Sequence, residues 1–261
     1  MYLAIKSLLI NIIFPLNFWD KIKFIKLFAQ KILNKKIVNP SVSFEILKFK
    51  NTEIALSSSK GDIWSFIEIF DLQEYRSIFD LLSKENFKPF TLIDLGANIG
   101  LTYLYFKQLN LIKNYIGVEP LEDNIRSLHF NTFSKNSLII QKAVWTDNKG
   151  VNFSNDKENN SNSISKSGKI KTQSITLDEI FQNQKDDIFL KMDIEGAEYE
   201  ILNKDLNTIS KKVKYLAIEF HNIKDNNYQK YINDISKHYK ILEIKKDTED
   251  YSLVFGINLN S

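Results

Sequence analysis

Between Thr91 and His221 the chain alternates short apolar runs with longer stretches of mixed polarity. TLIDLG, YIGVE, LIIQKAVW, IFLKMD and KYLAIEF read as strands, with helices predicted from Gly100, from Leu121, near Leu177, from Ala197 and around Tyr228 to His238. Strands that alternate with helices in this way imply an α/β fold built on a parallel sheet. The last two runs, YKILEIK and SLVFGINL, predict an antiparallel edge.

Upstream, the loose alternation over residues 42–56 predicts a short hairpin across Asn51, and Ile63 to Leu82 a strand or irregular piece followed by a helix. From Lys21 onward, Ile22, Ile25, Phe28, Ala29, Ile32 and Leu33 recur at helical spacing, with lysines and Gln30 between them. This amphipathic helix is expected to pack on the following domain or on a second copy, with a lipid surface as the alternative. The apolar start, MYLAIKSLLINIIFPLNFW, is broken by Lys6, Asn11 and Pro15, too short and interrupted for a spanning helix, and it lacks a small-residue cleavage site. A tract rich in Asn, Ser and Lys from Asn155 to Lys171 cannot bury enough apolar surface to fix itself and reads as a mobile surface loop. The expected organisation is an extension over residues 1–60, helical and then hairpin, and one α/β domain over 61–261.

Composition narrows the chemistry. With 261 residues and 43% hydrophobic content, one substantial core is within reach. The absence of cysteine excludes disulfides, thiolate zinc sites and cysteine nucleophiles. His129, His221 and His238 show no metal-ligand spacing, so zinc chemistry is not expected. The net charge of +3 is uneven: residues 1–36 hold seven lysines against Asp20, which leaves the remainder acidic by three charges. A body this close to balance argues against a broad nucleic-acid groove.

Four motifs carry the candidate chemistry. IDLGANIG, residues 93–100, ends a strand at Asp94 and opens a helix with Gly96 and Gly100. Glycine allows a tight turn and a close approach of backbone to ligand, and the helix start offers free N–H groups. The Gly-x-Gly step of a dinucleotide loop is missing, so the turn suits a zwitterionic amino-acid group, its ammonium facing Asp94. Glu119, closing IGVEP, stands where an acid can take both hydroxyls of a ribose. In LKMDIEGAE, Lys191 and Asp193 share one face of a strand end, while Glu195 and Glu198 follow in the turn and helix start, where the helix dipole alone could account for either. IEFH places Glu219 and His221 on a common face, and an imidazole with a reference pKa of about 6.5 is a natural base near neutral pH.

IDLGANIG, GVEP and above all KMDIEGAE followed by IEFH resemble the FkbM family of methyltransferases, over about residues 63–221. EIFDLQEY, ending at Tyr75, is similar to the segment before the family's first motif, so Glu68 and Tyr75 are expected at the cofactor or acceptor pocket. The resemblance implies a Rossmann-like class I methyltransferase fold, mainly parallel and seven-stranded, that uses S-adenosyl-L-methionine to methylate an oxygen of a sugar or polyketide-type acceptor. The candidate cofactor set is Tyr75, Asp94, Gly96, Asn98, Gly100, Glu119 and Ala143, the last in LIIQKAVW; the catalytic set is Asp193, His221 and Lys191; Glu195 and Glu219 are assigned to the substrate. Asp193 or His221 would take the acceptor proton, and Lys191 would pair with a carboxylate or orient the acceptor. No resident metal is assigned; magnesium bridging Asp193, Glu195 or Glu219 is a less favoured alternative. A sugar or nucleotide-sugar precursor of a bacterial capsule or lipopolysaccharide is the expected acceptor, in the cytoplasm, with residues 1–36 offering peripheral membrane contact or a homodimer face. N-methylation of an amino sugar or amine, an NAD-dependent oxidoreductase and a non-catalytic membrane- or partner-binding protein are the alternatives.

Overall fold

The computed structural model describes residues 16–34, 44–49, 51–57, 60–84, 87–153, 170–224, 228–246 and 251–260. Residues 1–15 of the apolar start and nearly all of the Asn155–Lys171 tract lie outside them. Helix α1 (Phe18–Asn34) precedes a hairpin of β1 (Phe44–Phe49) and β2 (Thr52–Ser57), antiparallel with Phe49 opposite Thr52, as the alternation predicts. Residues 63–82 form no strand; α2 (Lys60–Phe70) and α3 (Arg76–Lys84) occupy them instead, since Ile63, Phe66, Ile67 and Phe70 recur at helical spacing and all are buried.

The main sheet contains β3 (Phe90–Leu95), β4 (Ile112–Val118), β5 (Ser137–Ile140), β10 (Ile188–Met192), β11 (Val213–His221), β12 (Tyr239–Lys246) and β13 (Tyr251–Asn258). Their spatial order is β12-β13-β11-β10-β3-β4-β5. Six strands run in one direction, and β13 runs antiparallel between β11 and β12. Helices α4 (Leu101–Lys107), α5 (Glu122–Asn131), α6 (Leu177–Phe181), α7 (Glu198–Lys212) and α8 (Tyr228–Ser236) connect them. The short strands β6 (Ala143–Val144), β7 (Val151–Phe153), β8 (Ile170–Thr172) and β9 (Ser174–Ile175) pair in twos beside the sheet.

Strand alternation divides the core into two layers. Phe90 and Leu92 of β3 join Phe189 of β10 and Tyr215 of β11 in a cluster with α2, α3 and α4. Ile93 and Leu95 face the other way, into a cluster with α6, α7 and α8. Leu16, Phe24 and Leu27 belong to the first cluster, with Phe24 packed 5.8 Å from Phe66. Of the stripe read from the sequence of α1, Ile22, Ile25 and Ala29 face solvent instead, because the inner face is built by Asp20, Phe24 and Leu27. No helix of the described residues is long and apolar enough to cross a membrane.

Candidate active site

Beside β3 the strand order reverses, β4 and β5 continuing to one side and β10 and β11 to the other, and open α/β sheets hold ligands at such a point. By alternation, Asp94, Lys191 and Glu219 share the face of Phe90, Phe189 and Tyr215. Parallel register sets Lys191 directly opposite Asp94, and its ammonium lies 3.2 Å from Asp94 Oδ1. The same nitrogen donates to Asp193 Oδ2 at 3.1 Å and to the Gly96 carbonyl at 3.0 Å. Burial alone would lower the Lys191 pKa, but the charges of Asp193, Asp94 and Glu219 outweigh it and raise it, so this lysine keeps its proton and is no base. Asp94 also accepts from the Tyr115 hydroxyl at 3.1 Å and is fully buried. Through these contacts it ties β3, β4 and β10 together. Burial raises its pKa against the opposing pull of Lys191 and Tyr115.

The glycines are demanded by neighbouring chain. At Gly96, with φ +74, a Cβ would stand 1.8 Å from the Asp193 carbonyl oxygen; at Gly100, with φ +81, it would stand 2.5 Å from Thr132 Cγ2. Asn98 is also left-handed, and its amide donates to Glu119 Oε2 at 2.9 Å. Leu121 N and Asn124 Nδ2 each donate to Glu119 Oε1 at 3.0 Å. Burial pushes the Glu119 carboxyl up to about 7 despite these donors. Ala143 does not join this group; it is buried in β6 in a small separate cluster with Val151 and Trp145.

A cavity of about 50 Å³ lies between α2 and the 96–102 segment. Glu68 and Tyr75 line it, with Glu74, Lys191, Asp193 and Glu219, so four carboxylates face one ammonium. Glu74 and Tyr251 are participants that sequence reasoning missed: Tyr251 donates from β13 to Glu74, and only antiparallel register sets Tyr251 opposite His221. Burial and the Asp193 charge raise Glu219 well above the usual carboxylate range. Burial likewise raises Glu74.

At the end of β10 the chain turns through Glu195 (φ +54) and Gly196 (φ +96) into α7. Glu198, in the first turn of α7 and fully buried, accepts from the Ile194 amide at 2.9 Å and from His221 Nδ1 at 3.0 Å. That fixes the ring so that Nε2 stands 3.7 Å from Asp193 Oδ1 and 3.8 Å from Glu195 Oε2. Desolvation would lower the His221 pKa, but the Glu198 hydrogen bond and the Asp193, Glu198 and Glu195 charges raise it to about 9. The carboxylates around the imidazole therefore favour its protonated form. Burial raises the Asp193 pKa, yet Lys191 and His221 overcome this and hold it below the ordinary value. Burial and the Asp193 charge push Glu195 to about 7. Glu198 thus does more than complement a helix dipole, a role its place in KMDIEGAE could have signalled. Among the described residues, Asp193, Glu198 and His221 bring ligand atoms within 4.8 Å of one another, close enough to hold a metal ion.

A seven-stranded sheet in this order, with a glycine turn after its central strand and a buried acid ending the next, defines a Rossmann-like methyltransferase domain. The chain belongs to the FkbM methyltransferase family: the model of the Methyltransferase FkbM domain matches residues 94–247, more than half of its length. Among solved structures, methyltransferase FkbM from Methylobacillus flagellatus KT is similar at 20% identity and a TM-score of 0.47, covering 66% of this chain. The chain spans 45% of that protein. The Streptococcus pneumoniae protein Sp1610 in complex with S-adenosyl-L-methionine is similar at 12% identity and a TM-score of 0.43, over 70% of this chain and 72% of that one. Precorrin-6y C5,15-methyltransferase from Geobacter metallireducens GS-15 is similar at 10% identity and a TM-score of 0.42, over 71% and 88%. A search of curated proteins returns no match.

Proposed function

We propose that the chain transfers a methyl group from S-adenosyl-L-methionine to a sugar hydroxyl in the biosynthesis of a bacterial surface glycan. The observation that carries the cofactor reading is the lining of the crevice, where Glu68, Glu74, Asp193 and Glu219 face Lys191. Such a surplus of carboxylate suits a cationic sulfonium and opposes the pyrophosphate of a dinucleotide. When bound, S-adenosylmethionine supplies an electrophilic methyl group on a positively charged sulfur. Glu119, whose three donors leave one lone-pair site open on Oε2, would take a ribose hydroxyl. Tyr75 and the 96–102 segment would shape the adjoining wall.

The acceptor hydroxyl is a weak acid and gains from a nearby base. Asp193, kept ionised by Lys191 and by the charge on His221, would orient the hydroxyl and take its proton as the O–methyl bond forms and the oxygen turns strongly acidic; base catalysis of this kind contributes about 10²–10⁴-fold. Alignment of the reactants supplies the larger part, about 7–11 kcal/mol. Should a divalent ion bind, Asp193, Glu198 and His221 would hold it, and it would lower the pKa of a bound hydroxyl. The same carboxylates also suit a cationic amine, which makes N-methylation of an amino sugar the second reading.

Calorimetric titration with S-adenosylhomocysteine tests the cofactor reading, with stoichiometric binding expected in the wild type and loss in Glu119→Ala. Transfer of labelled methyl to nucleotide-sugar hydroxyls, run beside amino-sugar acceptors, then separates the two acceptor readings. No cofactor binding in the wild type would overturn the proposal.

A further inference from the structure

Helix α1 is apolar on two faces. Phe24 and Leu27 point into the core, which leaves a second row, Phe18, Ile22, Ile25 and Ala29, on successive turns of the outer surface. Trp19 stands beside that row at 71% exposure and Phe18 is 68% exposed, the two rings meeting edge to face at 5.4 Å. A helix with apolar residues on both sides is ordinarily buried on both, so the outer row calls for an occupant.

Charge decides between occupants. At 100° per residue Lys21 flanks the row on one side, and Lys26, on the other, is paired with Glu45 of β1 at 2.8 Å. Residues 1–36 carry seven lysines against Asp20, while the rest of the chain is acidic. A second copy docked through the same face would bring two strongly basic segments together, which is unfavourable; an anionic surface is attracted to either. Phenylalanine and tryptophan at the tip, with aliphatic residues behind them on a basic segment, fit the boundary between headgroups and acyl chains. We propose that the outer face of α1 seats the protein on an anionic lipid bilayer, with Phe18 and Trp19 inserted below the headgroups.

The test is co-sedimentation of the full chain with vesicles of phosphatidylcholine alone and of phosphatidylcholine mixed with phosphatidylglycerol, at low and high salt. Binding is expected on the anionic vesicles, weakened by salt, and reduced at least about tenfold by the double substitution Phe18→Ser and Trp19→Ser. Both side chains are exposed, so that variant should keep its melting temperature and its affinity for S-adenosylhomocysteine. In a protein with Trp64→Phe and Trp145→Phe, Trp19 emission should shift to the blue on vesicle addition. Failure to sediment with either vesicle, equal binding to both, or undiminished binding by the double variant would overturn the proposal. So would a dimer in analytical ultracentrifugation that the double variant abolishes while vesicle binding is absent. None of these readouts uses methyl transfer, so they stand or fall apart from the proposed function.

Discussion

The two sides of the sheet edge hold their carboxylates by different means. On the β3–β4 side, Glu119 is gripped by two backbone amides and one side-chain amide from residues close to it in the strand-turn-helix segment. On the β10–β11 side, Asp193, Glu195, Glu198 and Glu219 crowd together against their mutual repulsion, balanced by two cations, Lys191 and His221, with one backbone amide, that of Ile194, on Glu198. Backbone donors fix a geometry locally; a cluster balanced by charge responds to protons, to cations and to any loss of a member. The first arrangement suits a cofactor that must always sit in one place, the second a reaction that moves a proton.

Lys191→Met should break the contrast most severely, because this lysine bridges the two sides through Asp94 and Asp193. Leaving the buried Asp94 carboxylate uncompensated is expected to cost about 3–5 kcal/mol in urea unfolding. A loss under about 1 kcal/mol would mean that Asp94 is stabilised from elsewhere. Asp193→Asn should leave the affinity for S-adenosylhomocysteine, which lacks the sulfonium charge, nearly unchanged and lower kcat by about 10²–10⁴-fold, which locates proton transfer on the β10–β11 side. Equal loss of binding and turnover would place Asp193 on the cofactor instead.

Glu119→Gln should weaken S-adenosylhomocysteine by about tenfold. Since burial sets the Glu119 carboxyl at about 7, wild-type affinity should tighten as pH rises from 6 to 8 while the glutamine variant stays level; parallel titrations at the two pH values decide this. The smallest expected effect is on stability. His221 is raised from 6.5 to about 9, so its contribution is fully present below pH 6.5 and disappears as pH climbs through 9. Melting curves between pH 6 and 9.5 should fall less in His221→Asn than in the wild type. Identical slopes would show that Glu198 does not hold the ring charged.

The legible half of the site was also the local half. Glu119, Asn98 and the glycines lie within one strand-turn-helix-strand unit, where short spacing maps directly onto space. Even there the motif concealed a reason: Gly96 is required because the Asp193 backbone crosses it, a contact between residues distant in the chain. Asp94 was legible as a strand-end acid, but its partners were not, since Lys191 meets it only through the β3–β10 register. The helical pattern of α1 was likewise plain, yet which of its apolar rows turns inward depends on where β1 and α2 present Phe49 and Phe66.

The sequence by itself determined the alternation of strands and helices, the glycine turn, the acid that ends the second strand and the family they belong to, because periodicity and turn chemistry act over a few residues. The tertiary structure alone decided the electrostatics. It buried Asp94 against Lys191, joined Glu198 to His221 and brought Glu74 and Tyr251 beside Glu219, and so turned a histidine that reads as a base into a protonated partner of the carboxylate next to it. A pKa depends on distance and burial summed over the surrounding strands, and neither is set until the sheet is assembled.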